Sequence, residues 1–143
     1  MYSRKKFKKL IEISLALKNS HQFLRCFHVT FAINKGRIIS IGINHYKTHP
    51  RSLFLPYQGK DGADLRNQVG LHSELACWGK LGYEDCSSLT FVNVRIDNNG
   101  QANYAKPCNG CSVLFKQINA KKVFYSNRDG GFEKFFLDEY GYL

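Results

Sequence analysis

Two short stretches of this 143-residue chain carry side chains that could do chemistry together: His72-Ser73-Glu74 and, further along, Pro107-Cys108-Asn109-Gly110-Cys111. A Cys-x-x-Cys pair can ligate zinc, run dithiol redox chemistry, or do neither. Residues at i and i+3 in the first turn of a helix share a face, so both thiolates can reach one ion. A helix N-terminus also favours thiolate over thiol. His72 opens a predicted helix of its own, where it and Glu74 can both address a point beyond the end of the axis. Zn2+ held by His72, Cys108 and Cys111 would keep its fourth position for water, the arrangement of a catalytic rather than a structural site. The ion would lower the pKa of that water to roughly 7, and Glu74 would be the group that moves its protons.

A structural zinc site is the main competitor and needs a fourth ligand, Cys77 or Cys86. Cys77 lies five positions beyond His72 and so turns away from that helical face; Cys86 falls in a loop past the helix end. Thioredoxin-like redox chemistry is a weaker alternative. Five cysteines is an odd count without the spacing of a disulfide framework, so a reducing, cytoplasmic compartment is expected. His21, His28, His45 and His49 are single histidines without metal spacing, and Cys26, Cys77 and Trp78 read as core or half-buried residues.

The chain has 21 Lys and Arg against 11 Asp and Glu, a net charge of +10. Arg4, Lys5, Lys6, Lys8 and Lys9 crowd its start. Such a balance attracts phosphorylated small molecules and polynucleotides alike and does not choose between them. The basic-then-apolar start resembles a signal peptide, but Glu12, Ser14 and Lys18 interrupt it and no small-residue cleavage site follows. It is read as an amphipathic helix of the mature protein. No apolar run reaches the length of a membrane span.

These residues must be positioned by a small α/β domain spanning 1–143. Phe7, Leu10, Ile11, Ser14 and Leu15 fall at helical spacing, predicting a first helix that ends near Asn19. "QFLRCFHVTFAI" and "RIISIGI", separated by "NKG", predict a hairpin. Residues 44–70 form a long loop region, a length usually kept for function. "LHSELACWGKLG" predicts a helix stopped by Gly82, "SLTFVNVRI" a strand, "DNNGQANYAKP" a polar loop, "CNGCSVLFKQINA" a helix and "KKVFYSN" a strand. In the tail, Phe132, Phe135, Phe136 and Tyr140 share one helical face, so a last helix is expected. It could close the core or form a subunit interface. The order α-β-β-α-β-α-β-α implies a three-layer α/β/α sandwich around one mixed sheet.

His-x-Glu followed by Pro-Cys-x-x-Cys, on two helices separated by a strand, matches the signature of zinc-dependent nucleobase deaminases. Most of the chain resembles the cytidine/deoxycytidylate deaminase superfamily, especially its small phage-type members. "GINHYKTHP" resembles their loop after the second strand, "HSE" stands where "HAE" is usual, "AKPCNGC" matches "KPCxGC", and "KKVFYS" with "GGFE" is similar to their last strand and tail. The resemblance implies a cytidine-deaminase-like fold, Zn2+ on His72, Cys108 and Cys111, and Glu74 as the proton shuttle. Glu74 would take the water's proton, deliver it to a ring nitrogen and protonate the leaving ammonia. The resemblance also implies that Asn44 hydrogen-bonds the sugar and that the backbone around Ser73 faces the base. The Ala-to-Ser departure at Ser73 should not disturb zinc. Nothing resembles the second zinc site and effector loop of larger deoxycytidylate deaminases.

His49, in the "KTHP" loop that carries the resemblance, is a candidate for the pocket rim; from the residues themselves, Lys47, Arg51 and Arg128 are candidates for a phosphate. Tyr104 and Tyr125 are the favoured stacking partners for a base, since both flank elements that carry the site. The resemblance, with the small single domain, implies a free cytosine nucleotide or nucleoside as substrate, dCMP first. The alternative is cytosine or adenine within single-stranded DNA or RNA, and a third reading is a non-catalytic zinc-stabilised binding module.

Overall fold

The structure, a computed structural model, describes residues 4–20, 27–44, 72–83 and 85–136. Lys47, His49, Arg51 and Tyr140 lie outside the described residues, as do His21, Cys26 and His45. The chain begins with α1 (Arg4–Asn19), whose apolar stripe follows the expected spacing. Leu10 is fully buried, and Ser14 enters the core because its hydroxyl donates back to the Leu10 carbonyl at 2.8 Å.

Strands β1 (Phe27–Asn34) and β2 (Arg37–Ile43) form the expected hairpin. Its two turn residues, Lys35 and Gly36, both have positive φ, as the tight primed turns that match strand twist require. Then come α2 (Ser73–Leu81), β3 (Thr90–Ile96), β4 (Ala102–Asn103), α3 (Asn109–Gln117), β5 (Lys122–Ser126) and β6 (Phe132–Phe135). Gly82, at φ 68°, stops α2 and returns its N–H to the Trp78 carbonyl.

One mixed sheet runs β2-β1-β3-β5-β6. Only the β3–β5 pair is parallel, with α3 inside the crossover between them. β1 occupies one edge of β3 along its whole length, so β4 takes the other edge at Arg95 and Ile96, beyond the β5 pairing. Alternation along the strands builds two cores. Phe27, Val29, Phe31, Val92, Val94 and Ile96 pack with Leu10 beneath α1. Ala32, Phe91 and Val123 pack with Leu75, Leu114 and Phe115 beneath α2 and α3. The result is the expected three-layer sandwich.

Two expectations about elements fail. The tail forms a strand: β6 pairs antiparallel with β5 through an Asn127–Gly131 turn in which Gly130 has φ 78°. Phe132 lies on the α1 side, its ring stacked 4.4 Å from that of Phe7, whereas Phe135 enters the opposite core. Residues three apart point to opposite faces of a strand, so this aromatic spacing fits a two-sided edge strand as well as a helix. The polar loop before Cys108 also contains β4, too short to show a period. Among the described residues, no helix is long and apolar enough to cross a membrane.

Candidate metal centre and its surroundings

The N-termini of α2 and α3 meet at the centre. His72 is the N-cap of α2, extended at φ −71° and ψ 149°, so the helix begins one residue after the ring. Cys108 is the N-cap of α3 rather than a first-turn residue, and its sulfur accepts the Cys111 backbone N–H at 3.4 Å. Gly42 fixes how closely α2 sits on β2: a Cβ there would collide with the Cys77 backbone nitrogen and the Ser73 carbonyl.

His72 Nδ1 lies 3.5 Å from Cys108 Sγ and 3.4 Å from Cys111 Sγ, and the three donors all fall within 4.8 Å of one another. A tetrahedral zinc with ordinary Zn–N and Zn–S lengths has N···S edges of about 3.5 Å. The residues therefore fit the ion in both chemistry and spacing. Hydrogen bonding from the Cys111 thiol, helped by His72, pulls the Cys108 pKa down to about 4. The same contact and burial push Cys111 up, and the bond to Cys108 raises His72 to about 9. The contacts thus favour a thiolate at Cys108, the form of sulfur that binds a cation.

Cys77 and Cys86, the possible fourth ligands, stand apart. Burial raises them to about 12 and about 11, and their thiols donate to the Ser40 and Tyr83 carbonyls. Among the described residues the ligating cluster is His72, Cys108 and Cys111 alone.

Glu74 is buried, and burial with the nearby Cys108 charge raises its pKa. Its carboxyl closes a ring of four side chains. Asn93 Nδ2 donates to Glu74 Oε2 at 3.0 Å, Thr30 Oγ1 donates to Asn93 Oδ1 at 2.8 Å, Thr30 and Ser73 hydroxyls meet at 2.8 Å, and Ser73 Oγ reaches Glu74 Oε1 at 3.2 Å. All four residues are buried. Two hydroxyl protons cannot serve all three hydroxyl contacts when Glu74 is ionised. When Glu74 carries a proton it can donate to Ser73, Ser73 to Thr30, and every contact is filled. The ring orients the carboxyl in one state and stores its proton in the other.

Asn44 extends the hairpin ladder: its Oδ1 accepts the His28 N–H at 2.9 Å, and its own N–H donates to the His28 carbonyl. Its oxygen is thus engaged by the backbone of a residue at the centre's edge. Burial, with the charges of Arg95 and His72, lowers His28 to about 4, so its imidazole is neutral near pH 7. Arg95 stands opposite His28 across the β1–β3 pair, and its buried Nε has no hydrogen-bond partner among the described residues. Tyr125 is beside Asn93 across β3–β5 but only 7 % exposed, packed edge-on to Tyr104 and Phe135. Tyr104 is 43 % exposed and lines a hollow of about 330 Å³ with Arg128. Of the two tyrosines, Tyr104 keeps a face for a ligand.

Thr30, Asn93, His28 and Arg95 were not singled out as site residues by the sequence. Asn93 carried a usable signal, since it interrupts the apolar run of a central strand on the α2–α3 side. Thr30 offered none, because threonine suits any strand.

By sequence, no family model and no characterised protein matches the chain. By structure, it is similar to dCMP deaminase from the cyanophage S-TIM5 in complex with dCMP and dUMP. The TM-score is 0.56 at 16 % identity over 89 % of this chain and 85 % of that one. The apo form of the same enzyme gives 0.48 at 18 %, covering 85 % and 86 %. A structure from a study of A-to-I editing by tRNA:A34 deaminases gives 0.47 at 15 %, covering 87 % and 72 %. The chain has the fold of the cyanophage dCMP deaminase, and thereby the fold its sequence resemblance implied.

Proposed function

We propose that this chain is a zinc-dependent hydrolytic deaminase of a cytosine nucleotide or nucleoside, dCMP to dUMP and ammonia in the first instance. The observation that carries the reading is the His72–Cys108–Cys111 cluster, set to zinc dimensions, with the buried Glu74 two residues beyond His72 in the first turn of α2. The fold shared with an enzyme that binds dCMP and dUMP supports it.

His72, Cys108 and Cys111 hold the ion. When bound, zinc supplies a water acidified to a pKa of about 7. The net change replaces the C4–NH2 of the base with C4=O, water giving the oxygen and ammonia departing. Of the water's two protons, one goes to the ring nitrogen and one to the leaving nitrogen, which departs as ammonia. Glu74 is the carrier, because burial raises its pKa and its hydrogen-bond ring accommodates both protonation states. The α2 N-terminus at Ser73 faces the base, and Asn44 and Tyr104 flank it, with Tyr125 packed behind Tyr104. Lys47 and His49 belong to the same proposal through the motif that contains them. Arg95, with a buried donor unused, meets the substrate phosphate at the His28 edge.

Ammonia release from dCMP, dCTP, deoxycytidine and a cytosine-containing single strand tests the substrate class, with Arg95→Gln beside wild type. Turnover of dCMP is expected, with KM for dCMP raised about tenfold in Arg95→Gln and deoxycytidine unaffected. Deamination of the strand with the monomers silent would replace this reading with the polynucleotide one.

A further inference from the structure

The lysines have a second centre of gravity, away from the metal cluster. Lys6, Lys35, Lys121 and Lys122 line one cleft of about 320 Å³ with Ser88 and Thr90, and among the described residues no acid lines it. The Lys6 ammonium reaches over the hairpin turn so closely that a Cβ at Gly36 would lie 2.9 Å from it. Four lysines on one cleft make a positive potential that attracts anions.

The cleft is at the far end of the sheet from the metal cluster. On β1, β3 and β5 the deaminase centre is next to Thr30, Asn93 and Tyr125, whereas the cleft takes Ile33, Thr90 and Lys122. It also opens on the α1 side, as its Ile33 and Phe124 pack in the α1 core. A ligand there does not present a base to Glu74.

The charge continues past the cleft. Arg4, Lys5, Lys6, Lys8 and Lys9 fall within the first six residues of α1, and the first turn has no acid. Cations at a helix N-terminus oppose the macrodipole, so this arrangement costs helix stability. Arg4 and Lys8 line a neighbouring hollow together with Asp129 and with Phe7 and Phe132, whose rings are stacked. A compact polyphosphate in the cleft would leave that second hollow untouched. A chain of phosphates carrying bases can use the lysines, the basic turn and the aromatic edges together.

We propose that the lysine cleft and the N-terminal turn of α1 bind the phosphate backbone of a single-stranded nucleic acid, at a surface separate from the metal centre. The strand is a docking partner there, not the substrate. The proposal stands apart from the deaminase reading, since binding at this surface needs no metal and no turnover.

The test is fluorescence anisotropy with a labelled oligothymidylate, which contains no cytosine, titrated with full-length protein at several salt concentrations. The cleft variant is Lys35→Gln/Lys121→Gln/Lys122→Gln. A charge-matched control, Lys18→Gln/Lys116→Gln/Lys134→Gln, changes net charge equally elsewhere. Wild type should bind, and the cleft variant should lose about tenfold in affinity at low salt, its log–log salt slope shallower by about 2. The control should retain wild-type slope. Equal losses in both variants, or no binding by wild type, would overturn the proposal. So would displacement of the strand by inorganic triphosphate at equal phosphate concentration, which would assign the cleft to a small polyphosphate.

Discussion

Replacing Thr30 with Val removes one hydroxyl from the Glu74 ring while keeping the β-branched shape that suits the strand. The Thr30 oxygen makes two contacts of 2.8 Å, donating to Asn93 Oδ1 and meeting Ser73 Oγ, in a side chain with no solvent exposure. Asn93 Oδ1 is then left without its donor, and a buried acceptor so orphaned costs about 1–3 kcal/mol. The protein should lose about 2 kcal/mol by urea denaturation. Asn93 still reaches Glu74 Oε2 and the Ala105 carbonyl, and Ser73 still donates to Glu74, but the Asn93 oxygen has lost its donor and the ring is open. In the Thr30→Val protein, kcat for dCMP should fall about tenfold with KM little changed, since the loss concerns proton transfer and not binding. The proton-filled ring also favours protonated Glu74, so the acid limb of the pH–rate profile should move to lower pH. Thr30→Ser, which retains the hydroxyl, should recover most of both properties, and zinc content should be unchanged throughout. A Thr30→Val enzyme with wild-type kcat would refute the ring's role, whatever its stability.

Two further outcomes follow from the packing around the centre. Gly42→Ala forces α2 off β2, because the new methyl overlaps Cys77 and Ser73 backbone atoms. It should lower stability by about 1–3 kcal/mol and weaken zinc retention against a competing chelator, as His72 moves with α2. His28 has a folded pKa of about 4 against about 6.5 unfolded, so the unfolded chain binds its proton first. Its contribution is present above about pH 6.5 and is lost as pH falls toward 4, by about 2 kcal/mol at pH 5. Urea midpoints measured from pH 7 to 5 should fall less steeply in His28→Gln; parallel slopes would contradict a buried neutral imidazole.

The candidate cluster was legible because His72, Cys108 and Cys111 sit at helix starts, where sequence punctuation is strong. Gly82 marks the end of α2, Pro107 precedes α3, and the i, i+3 spacing of Cys108 and Cys111 holds even with Cys108 at the N-cap. The hairpin was equally plain, since Lys35-Gly36 supplies the positive φ values its turn needs. What escaped depends on contacts distant in the chain. Thr30 and Ser73 are 43 positions apart, and Asn93 and Glu74 19, so no local pattern joins them. The tail misled because Phe132 and Phe135 face two different cores, which mimics a helical stripe.

The most direct measurement is zinc content and ammonia release from dCMP on the same preparations of wild type and Glu74→Ala. The account predicts one zinc per chain in both proteins, turnover by wild type, and a loss of at least about a thousandfold in Glu74→Ala. Full activity in Glu74→Ala, or a wild-type protein that holds zinc and releases no ammonia from any cytosine compound, would contradict it.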